Sequence, residues 1–253
     1  GAGILEDGKT LCSIGTSGVV LSYEEDKNKD FQGKVHYFNH GAPDAYYTMG
    51  VTLSAGHSPS WIKETFAAAE SYEDLLKGVA SVPVGANGLL FTPYLVGERT
   101  PHADSYVRAS FIGIDSTHTR YDFARAVLEG ITFSLNESIM IFRENGKNVH
   151  SVISIGGGAK NETWLQIQAD IFNAKIIKLT SEQGPAMGAA MLAAYGCGWF
   201  NSLKDCADNF LKVEKEFTPN QENVEKYKEL FQIYKKVYTK TADLNRELML
   251  FRK

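Results

Sequence analysis

The chain has 253 residues, 26 Lys plus Arg against 30 Asp plus Glu for a formal charge of −4, and 43% hydrophobic with 22% charged residues. It carries neither the one-signed surplus of a nucleic-acid binder nor the apolar depletion of a disordered tail, so no nucleic-acid partner is expected. Cys12, Cys197 and Cys206 form no CxxC pair and leave one over from any pairing, which fits the reduced thiols of a cytoplasmic protein better than a disulfide framework.

The opening Gly1-Ala2-Gly3 reads as the end of an element, and a piece of a longer protein is expected. No basic segment followed by an apolar run marks a signal peptide. Short apolar or β-branched runs at 10–14 and 19–22 are expected strands, joined by Gly15-Thr16-Ser17-Gly18, a connection of hairpin length. A third strand is expected at 46–53. Trp61, Ile62 and Phe66 stand at helical spacing within 60–69, and a short strand at 89–92 follows the turn-forming Gly85-Ala86-Asn87-Gly88. Residues 93–110, with Pro93, Gly97 and Pro101, read as a loop.

From there helix alternates with strand. Phe123, Ala126, Val127, Ile131, Leu135, Ile139 and Phe142 trace an apolar face through a helix over 121–144. A strand at 151–155, a helix at 163–172, a strand at 175–179 and a helix at 185–195 with Pro at its start follow. The least polar stretch, 185–200, is broken by Gly188, Gly196 and Gly198 and is shorter than the ~20 residues of a membrane span, so no membrane partner is expected. Apolar residues at threes and fours from Val224 to Leu248 predict a last amphipathic helix, whose apolar face either packs back on the domain or joins a second copy as a homodimer. Hairpin strands followed by β-α-β-α imply an α/β fold with a mixed sheet and helices packed on it.

Four motifs could carry chemistry. Gly15-Thr16-Ser17-Gly18 offers backbone N–H groups and hydroxyls to phosphate oxygens, though many such turns only reverse the chain. Gly156-Gly157-Gly158-Ala159-Lys160-Asn161, between a strand and a helix, lets a ligand lie against the backbone at the carboxyl edge of a sheet, and is equally consistent with a plain connection. It is neither a Walker loop nor the spaced dinucleotide fingerprint. The run from Glu182 to Ala190 is rich in small residues and suits close helix packing, with Gly184 at a ligand border as the alternative. In Gly97-Glu98-Arg99-Thr100-Pro101-His102-Ala103-Asp104, Arg99 could hold a phosphate or carboxylate, or Glu98, Arg99 and Asp104 could form structural ion pairs. The histidines show no zinc spacing, and no metal-ligating residue is expected.

Taken in order, these motifs resemble the carboxyl-terminal half of the FGGY carbohydrate kinases. Ala109-Ser110-Phe111-Ile112-Gly113-Ile114, then Asp122-Phe123 and Ala126-Val127-Leu128-Glu129, look like the second signature of that family. Around them stand GTSG at 15–18, the LSAG run from Leu53 to Trp61, the loop from Pro93 to Asp104, the glycine loop with Asn161, and the run from Trp164. The resemblance implies a ribonuclease H-like, actin-like ATPase domain with helices on both faces of a mixed sheet. Residues 1–253 would be its nucleotide-side, C-terminal domain, and the sugar-binding N-terminal domain would be absent from this chain.

Position by position, the resemblance puts Gly15, Thr16, Ser17 and Gly18 at the ATP phosphates. Gly56 and Ser60, the latter where some relatives have Gln, would line the nucleotide, and Gly156, Gly157, Gly158 and Asn161 would hold the adenosine. The general-base aspartate of the family falls just upstream of Gly1, so no catalytic residue is expected within the chain. The implied reaction moves the ATP γ-phosphoryl group to a sugar hydroxyl, with Mg2+ carried on the ATP phosphates. The run Met49–Gly56 and the loop at 97–104 look most like the branch acting on D-xylulose, with gluconate, glycerol or a deoxysugar as alternatives. A non-catalytic nucleotide-binding module of the same fold is the reading from another class. Alone, a half-cleft is expected to have no sugar kinase activity.

Overall fold

Alternation of buried and half-exposed residues makes Lys9–Ile14 (β1) and Gly18–Glu24 (β2) amphipathic strands, and they pair antiparallel with Ile14 opposite Gly18. The computed structural model describes residues 1–26, 29–181 and 183–252; Glu182, the first residue of the small-residue run, lies outside the described residues. His36–Asn39 (β3) and Tyr46–Thr52 (β4) continue the sheet on one side of the hairpin. Helices His57–Phe66 (α1) and Tyr72–Val79 (α2) follow. Leu90–Thr92 (β5) and Ser110–Ile112 (β6) form a separate two-stranded ribbon.

Arg120–Glu144 (α3) is opened by a capping box between Thr119 and Asp122, and runs to Glu144 under the sheet. Ser151–Gly156 (β7), Glu162–Phe172 (α4) and Lys175–Leu179 (β8) make a parallel crossover unit. Gly184–Gly196 (α5) and Leu203–Phe210 (α6) pack on each other through Met191, Cys206 and Ala207. Val213–Phe217 (β9) and the long Gln221–Leu248 (α7) complete the chain.

The main sheet has seven strands in the order β3-β4-β2-β1-β7-β8-β9. β1 sits at the middle, antiparallel to β2 and parallel to β7. Cys12, Ile14, Val20, Val152 and Ile176 face the large core that α1, α3, α4 and α7 complete. Leu11, Leu21, Ile153, Ile155 and Leu179 face the other way, against Ala2, Ile4 and Leu211. Thus the mixed sheet is covered on both faces, as in the expected actin-like domain.

Burial on every side of α3 forces its polar groups into pairs. Arg125 Nε donates to Glu129 Oε1 at 2.6 Å, and Arg125 Nη2 donates to the Tyr227 hydroxyl at 2.7 Å. That hydroxyl donates in turn to Glu129 Oε1 at 2.6 Å, clasping α7 to α3. The apolar face of α7 therefore packs back on the domain through Val224, Tyr227, Phe231, Tyr234 and Val237. Leu244 and Leu248, expected on that face, are exposed, as are Leu250 and Phe251 beyond it. α5 is unusual in having no charged residue while Pro185, Ala186, Ala189, Ala190, Leu192 and Ala193 face water.

Five elements have no counterpart in the pattern reading: β3, α2, β6, α6 and β9. β9 is an edge strand whose residues 213–216 are exposed, and its side chains make ion pairs rather than a core: Lys175 with Glu216, Lys178 with Glu214, Lys215 with Glu162. Such a strand shows no apolar alternation. α1 begins at His57, earlier than the apolar spacing suggests, because its first turn is built by backbone contacts to the β1–β2 connection.

Candidate functional site

The register of β1 and β7 builds the site. Their last residues, Ile14 and Gly156, are parallel partners, so the two glycine-rich turns leave the carboxyl edge of the sheet side by side. Gly156 has φ +81°, and a Cβ there would lie 2.5 Å from the Ile14 carbonyl oxygen, so only glycine lets the strand turn away at this point. The start of α1 is strapped across the first turn. Gly56 N–H donates to the Gly15 carbonyl at 2.8 Å and His57 N–H to the Thr16 carbonyl at 3.1 Å. A side chain at Gly56 would strike the Gly15 carbonyl, so this approach also requires glycine.

Between the turns opens a cleft of about 760 Å³. Gly15, Thr16, Gly56, Ser60, Gly157, Gly158 and Asn161 line it, all of them candidates from the sequence. Ser17, Gly18 and Gly156 stand beside the wall without forming it. Ser17 closes the turn by accepting Gly15 N–H at 2.9 Å, and Gly18 begins β2 under Leu135 and Ala55. Arg99 lies outside the cleft, exposed, with no ion pair among the described residues.

Polar groups and apolar side chains both meet at the cleft. The hydroxyls of Thr16 and Ser17 meet no described partner, and Gly158 is held in place by buried Gln168, whose Nε2 donates to its carbonyl at 3.3 Å while Oε1 accepts from Ser154. Asn161 is the N-cap of α4: its Oδ1 accepts Trp164 N–H at 2.9 Å. An N–H needs an oxygen there, which fixes the orientation of the Asn161 amide and leaves its nitrogen without a described partner. Its apolar lining comes from Ile14, Leu76 and Trp164, with Tyr72 beside them. Burial pushes the Tyr72 phenol up to about 12, so it stays a neutral hydroxyl.

Tyr72, Glu73 and Leu76 come from α2, an element that apolar spacing did not reveal. The signal was present: Ser71 caps α2 by accepting Asp74 N–H at 3.0 Å, and a Ser followed three residues later by Asp is a helix-start pattern. Glu73 is the one carboxylate on the described lining; it is 78% exposed and paired with Lys77 at 3.0 Å. No described carboxylate of the cleft is therefore built as a general base; the His57 imidazole and Lys160 also lie on the lining. Among the described residues no cluster of three or more His, Cys, Asp or Glu could hold a metal ion, and no helix is long and apolar enough to cross a membrane.

The ionisable loop at 97–104 is structural, by a different pairing from the one expected. Glu98 is buried and accepts Leu53 N–H at 3.0 Å, Arg99 N–H at 2.7 Å and the hydroxyls of Thr52 and Ser134. Burial still dominates and pushes its carboxyl up to about 7. Asp104 accepts Tyr106 N–H at 2.8 Å and the Tyr238 hydroxyl at 3.0 Å, with Arg246 at 3.4 Å. His102 stacks on Tyr238 with ring centroids 3.7 Å apart and lies 3.7 Å from Glu137. Burial pushes His102 down to about 4 and Glu137 up to about 8, so both are neutral near pH 7 and form no ion pair. The signature residues around Asp122 and Glu129 likewise serve the fold. Asp122 accepts from Asn87 Nδ2 at 2.7 Å, Phe111 packs on Phe91 with centroids 4.6 Å apart, and none of them reaches the cleft.

Residues 10–197 match the model of the C-terminal domain of the FGGY family of carbohydrate kinases. Over the whole chain, 67% of residues are identical to the xylulose kinase of Bacillus subtilis (strain 168), of which the match covers 51%. The xylulose kinase of Staphylococcus epidermidis (strain ATCC 12228 / FDA PCI 1200) is 54% identical over 98% of the chain and 50% of that protein. A ligand-bound crystal structure of xylulose kinase from Lactobacillus acidophilus superimposes with a TM-score of 0.88 at 28% identity, covering 95% of this chain and 49% of that one. The chain spans about half the length of the curated relatives it matches. By its cleft, its sheet order and these similarities, the chain belongs to the FGGY family of carbohydrate kinases and corresponds to their C-terminal domain.

Proposed function

We propose that the cleft binds ATP and that the complete protein transfers its γ-phosphoryl group to a hydroxyl of D-xylulose, giving xylulose 5-phosphate and ADP. The observation that carries this reading is the convergence of two glycine turns, from paired strand ends, on one cleft lined by polar groups and apolar side chains together. Thr16, with Gly15, Ser17 and Gly18 around it, takes the phosphates. Gly56 and Ser60 flank the nucleotide, and Gly156, Gly157, Gly158 and Asn161 form the loop under the adenosine. The choice of D-xylulose over gluconate or glycerol draws on the identity to xylulose kinases along the whole chain.

Transfer needs an oxygen nucleophile that loses its proton while the bond from the γ-phosphorus to the bridging oxygen breaks and ADP leaves. This domain binds and orients the donor. The base that takes the proton and the sugar contacts come from the amino-terminal half. Mg2+ on the phosphate oxygens neutralises their charge when bound; a lining with a single exposed carboxylate fits a metal delivered by the nucleotide rather than held by side chains. Use of ATP and the free thiols of Cys12, Cys197 and Cys206 suit the cytoplasm.

The test compares the full-length protein with the 253-residue chain. The full-length protein is expected to release ADP in the presence of xylulose and not with gluconate or glycerol, while the chain binds ATP and releases none. Release by the full-length protein with gluconate or glycerol alone would overturn the substrate. Sugar-dependent release by the chain would overturn the division of labour, and failure of the chain to bind ATP would overturn the site.

A further inference from the structure

On the nucleotide reading of the cleft, on which this inference rests, the first glycine turn has to hold its hydroxyls and N–H groups still against the phosphates. The turn is set from two sides. On one, Gly18 lies opposite Thr52 in the β2–β4 register, so close that a Cβ on Gly18 would sit 2.8 Å from the Thr52 methyl carbon. On the other, Gly56 and His57 strap the Gly15 and Thr16 carbonyls. Residues 53–55 alone separate Thr52 from the strap. Ser58 ties them to the start of α1, its hydroxyl donating to the Ser54 carbonyl at 2.6 Å and its N–H to the Ala55 carbonyl at 3.1 Å. The connection and the helix start therefore form one piece.

Glu98 grips that piece where it leaves β4. Oε1 accepts Leu53 N–H at 3.0 Å, and Oε2 accepts the Thr52 hydroxyl, which also meets the Ser134 hydroxyl of α3 at 2.7 Å. The grip is itself fixed: Glu98 is 2% exposed, and its N–H and carbonyl each pair with Asp104 at 2.9 Å. Arg99 N–H adds a second donor on Oε1 and Ser134 a second on Oε2. None of these partners lines the cleft. A carboxylate suits the place because its two oxygens accept all four bonds.

We propose that Glu98 is a positioning residue of the nucleotide site: through Thr52 and Leu53 it sets where Thr16 and its neighbours meet the phosphate groups, without touching the ligand. Loss of the grip frees the connection and the strap with it. The cost then falls on the phosphates more than on the adenosine, which lies over the loop at 156–161. Gln is a close replica of the neutral carboxyl, which burial favours up to about 7. With Oε1 taking two N–H groups, the proton of that form belongs on Oε2, facing hydroxyls that can turn to accept. The amide of Glu98→Gln presents the same pattern.

Displacement of a fluorescent ATP analogue from the full-length protein by ATP and by adenosine reads the effect. Tyr227→Phe, a buried change away from the cleft, controls for lost stability. Glu98→Ala is expected to weaken ATP by at least about fivefold and adenosine by less than about twofold, while Glu98→Gln stays within about twofold of the parent and Tyr227→Phe changes neither ligand. Glu98→Asp keeps the charge one methylene short of its partners, and it is expected to weaken ATP selectively even where the alanine variant does not fold. Unchanged ATP affinity in the alanine and aspartate variants would overturn the inference and leave the nucleotide site standing. So would equal losses for ATP and adenosine, or a Glu98→Gln loss as large as that of Glu98→Ala. No displacement by ATP from the parent would remove the nucleotide reading and this inference together.

Discussion

Glu137 offers a test of the electrostatics behind β4. Its side chain is 8% exposed, one oxygen has no partner among the described residues, and burial, reinforced by the Glu98 carboxylate, raises its pKa from 4.5 to about 8 against the pull of Lys235. A carboxyl held protonated in the native chain and ionised in the unfolded one stabilises the fold fully below 4.5, and this contribution is lost as pH climbs through about 8. Glu98 acts in the same direction up to about 7. His102 acts oppositely, because a pKa lowered from 6.5 to about 4 adds stability as pH rises between those values. The opposing contributions overlap below 6.5, so the net fall is steepest from there to about 7 and continues to about 8 through Glu137 alone.

Replacing Glu137 by Gln removes one titration and keeps the shape. The amide leaves its own unpaired groups, but that cost is the same at every pH and cancels when two pH values are compared. Between pH 5.5 and pH 8.5 the parent loses about 3 kcal/mol through this carboxyl that Glu137→Gln does not, at 1.36 kcal/mol per pH unit up to about 8. For a chain of this size that is a difference of about 6–12 °C in melting temperature. Urea unfolding of both proteins at both pH values reads it. Parallel loss of stability in the two proteins would refute the claim that Glu137 is held neutral in the fold.

Gly56→Ala drives a methyl group onto the Gly15 carbonyl while its φ of −66° suits alanine, so the clash is isolated; a loss of at least about 2 kcal/mol and of nucleotide binding is expected by urea titration and equilibrium dialysis. An unchanged affinity there would separate the α1 strap from the site. Thr16→Val keeps the shape of a turn residue whose hydroxyl has no described partner, so melting should not move while ATP affinity falls about tenfold; equal affinity would show that this hydroxyl does not meet the ligand. Tyr227→Phe strips the donor to Glu129 and the acceptor for Arg125 from a buried triad, for a loss of about 2–3 kcal/mol in urea midpoints that nucleotide binding does not share.

The elements legible from the sequence are those whose burial follows a period. β1, β2, β7, β8 and α3 each face a core, and their apolar residues repeat accordingly. α2 and β9 escaped for opposite reasons: α2 is signalled by its Ser71 cap rather than by apolar spacing, and β9 is an exposed edge held by ion pairs. In the site, glycine turns were legible because close backbone approach leaves a residue-level trace at Gly56 and Gly156. The apolar lining was not, since Leu76 and Trp164 read as ordinary core residues until the fold brings them beside Ile14. The loop at 97–104 shows the limit of charge patterns. Glu98 and Asp104 spend their oxygens on backbone N–H groups and hydroxyls of β4, α3 and α7, partners that no spacing in the loop announces.

The charge-free surface of α5 governs how this domain behaves in a test tube. Alanines on the helix, together with Leu192 at 47% and Trp199 just past its end at 75% exposure, face solvent as one neutral band that a net charge of −4 on the whole chain does little to shield. Sulfate and phosphate strengthen attraction between such surfaces. Low ionic strength with little ammonium sulfate is therefore the condition for handling the chain at high concentration, and a phenyl resin, more than an ion exchanger, is the column that should hold it.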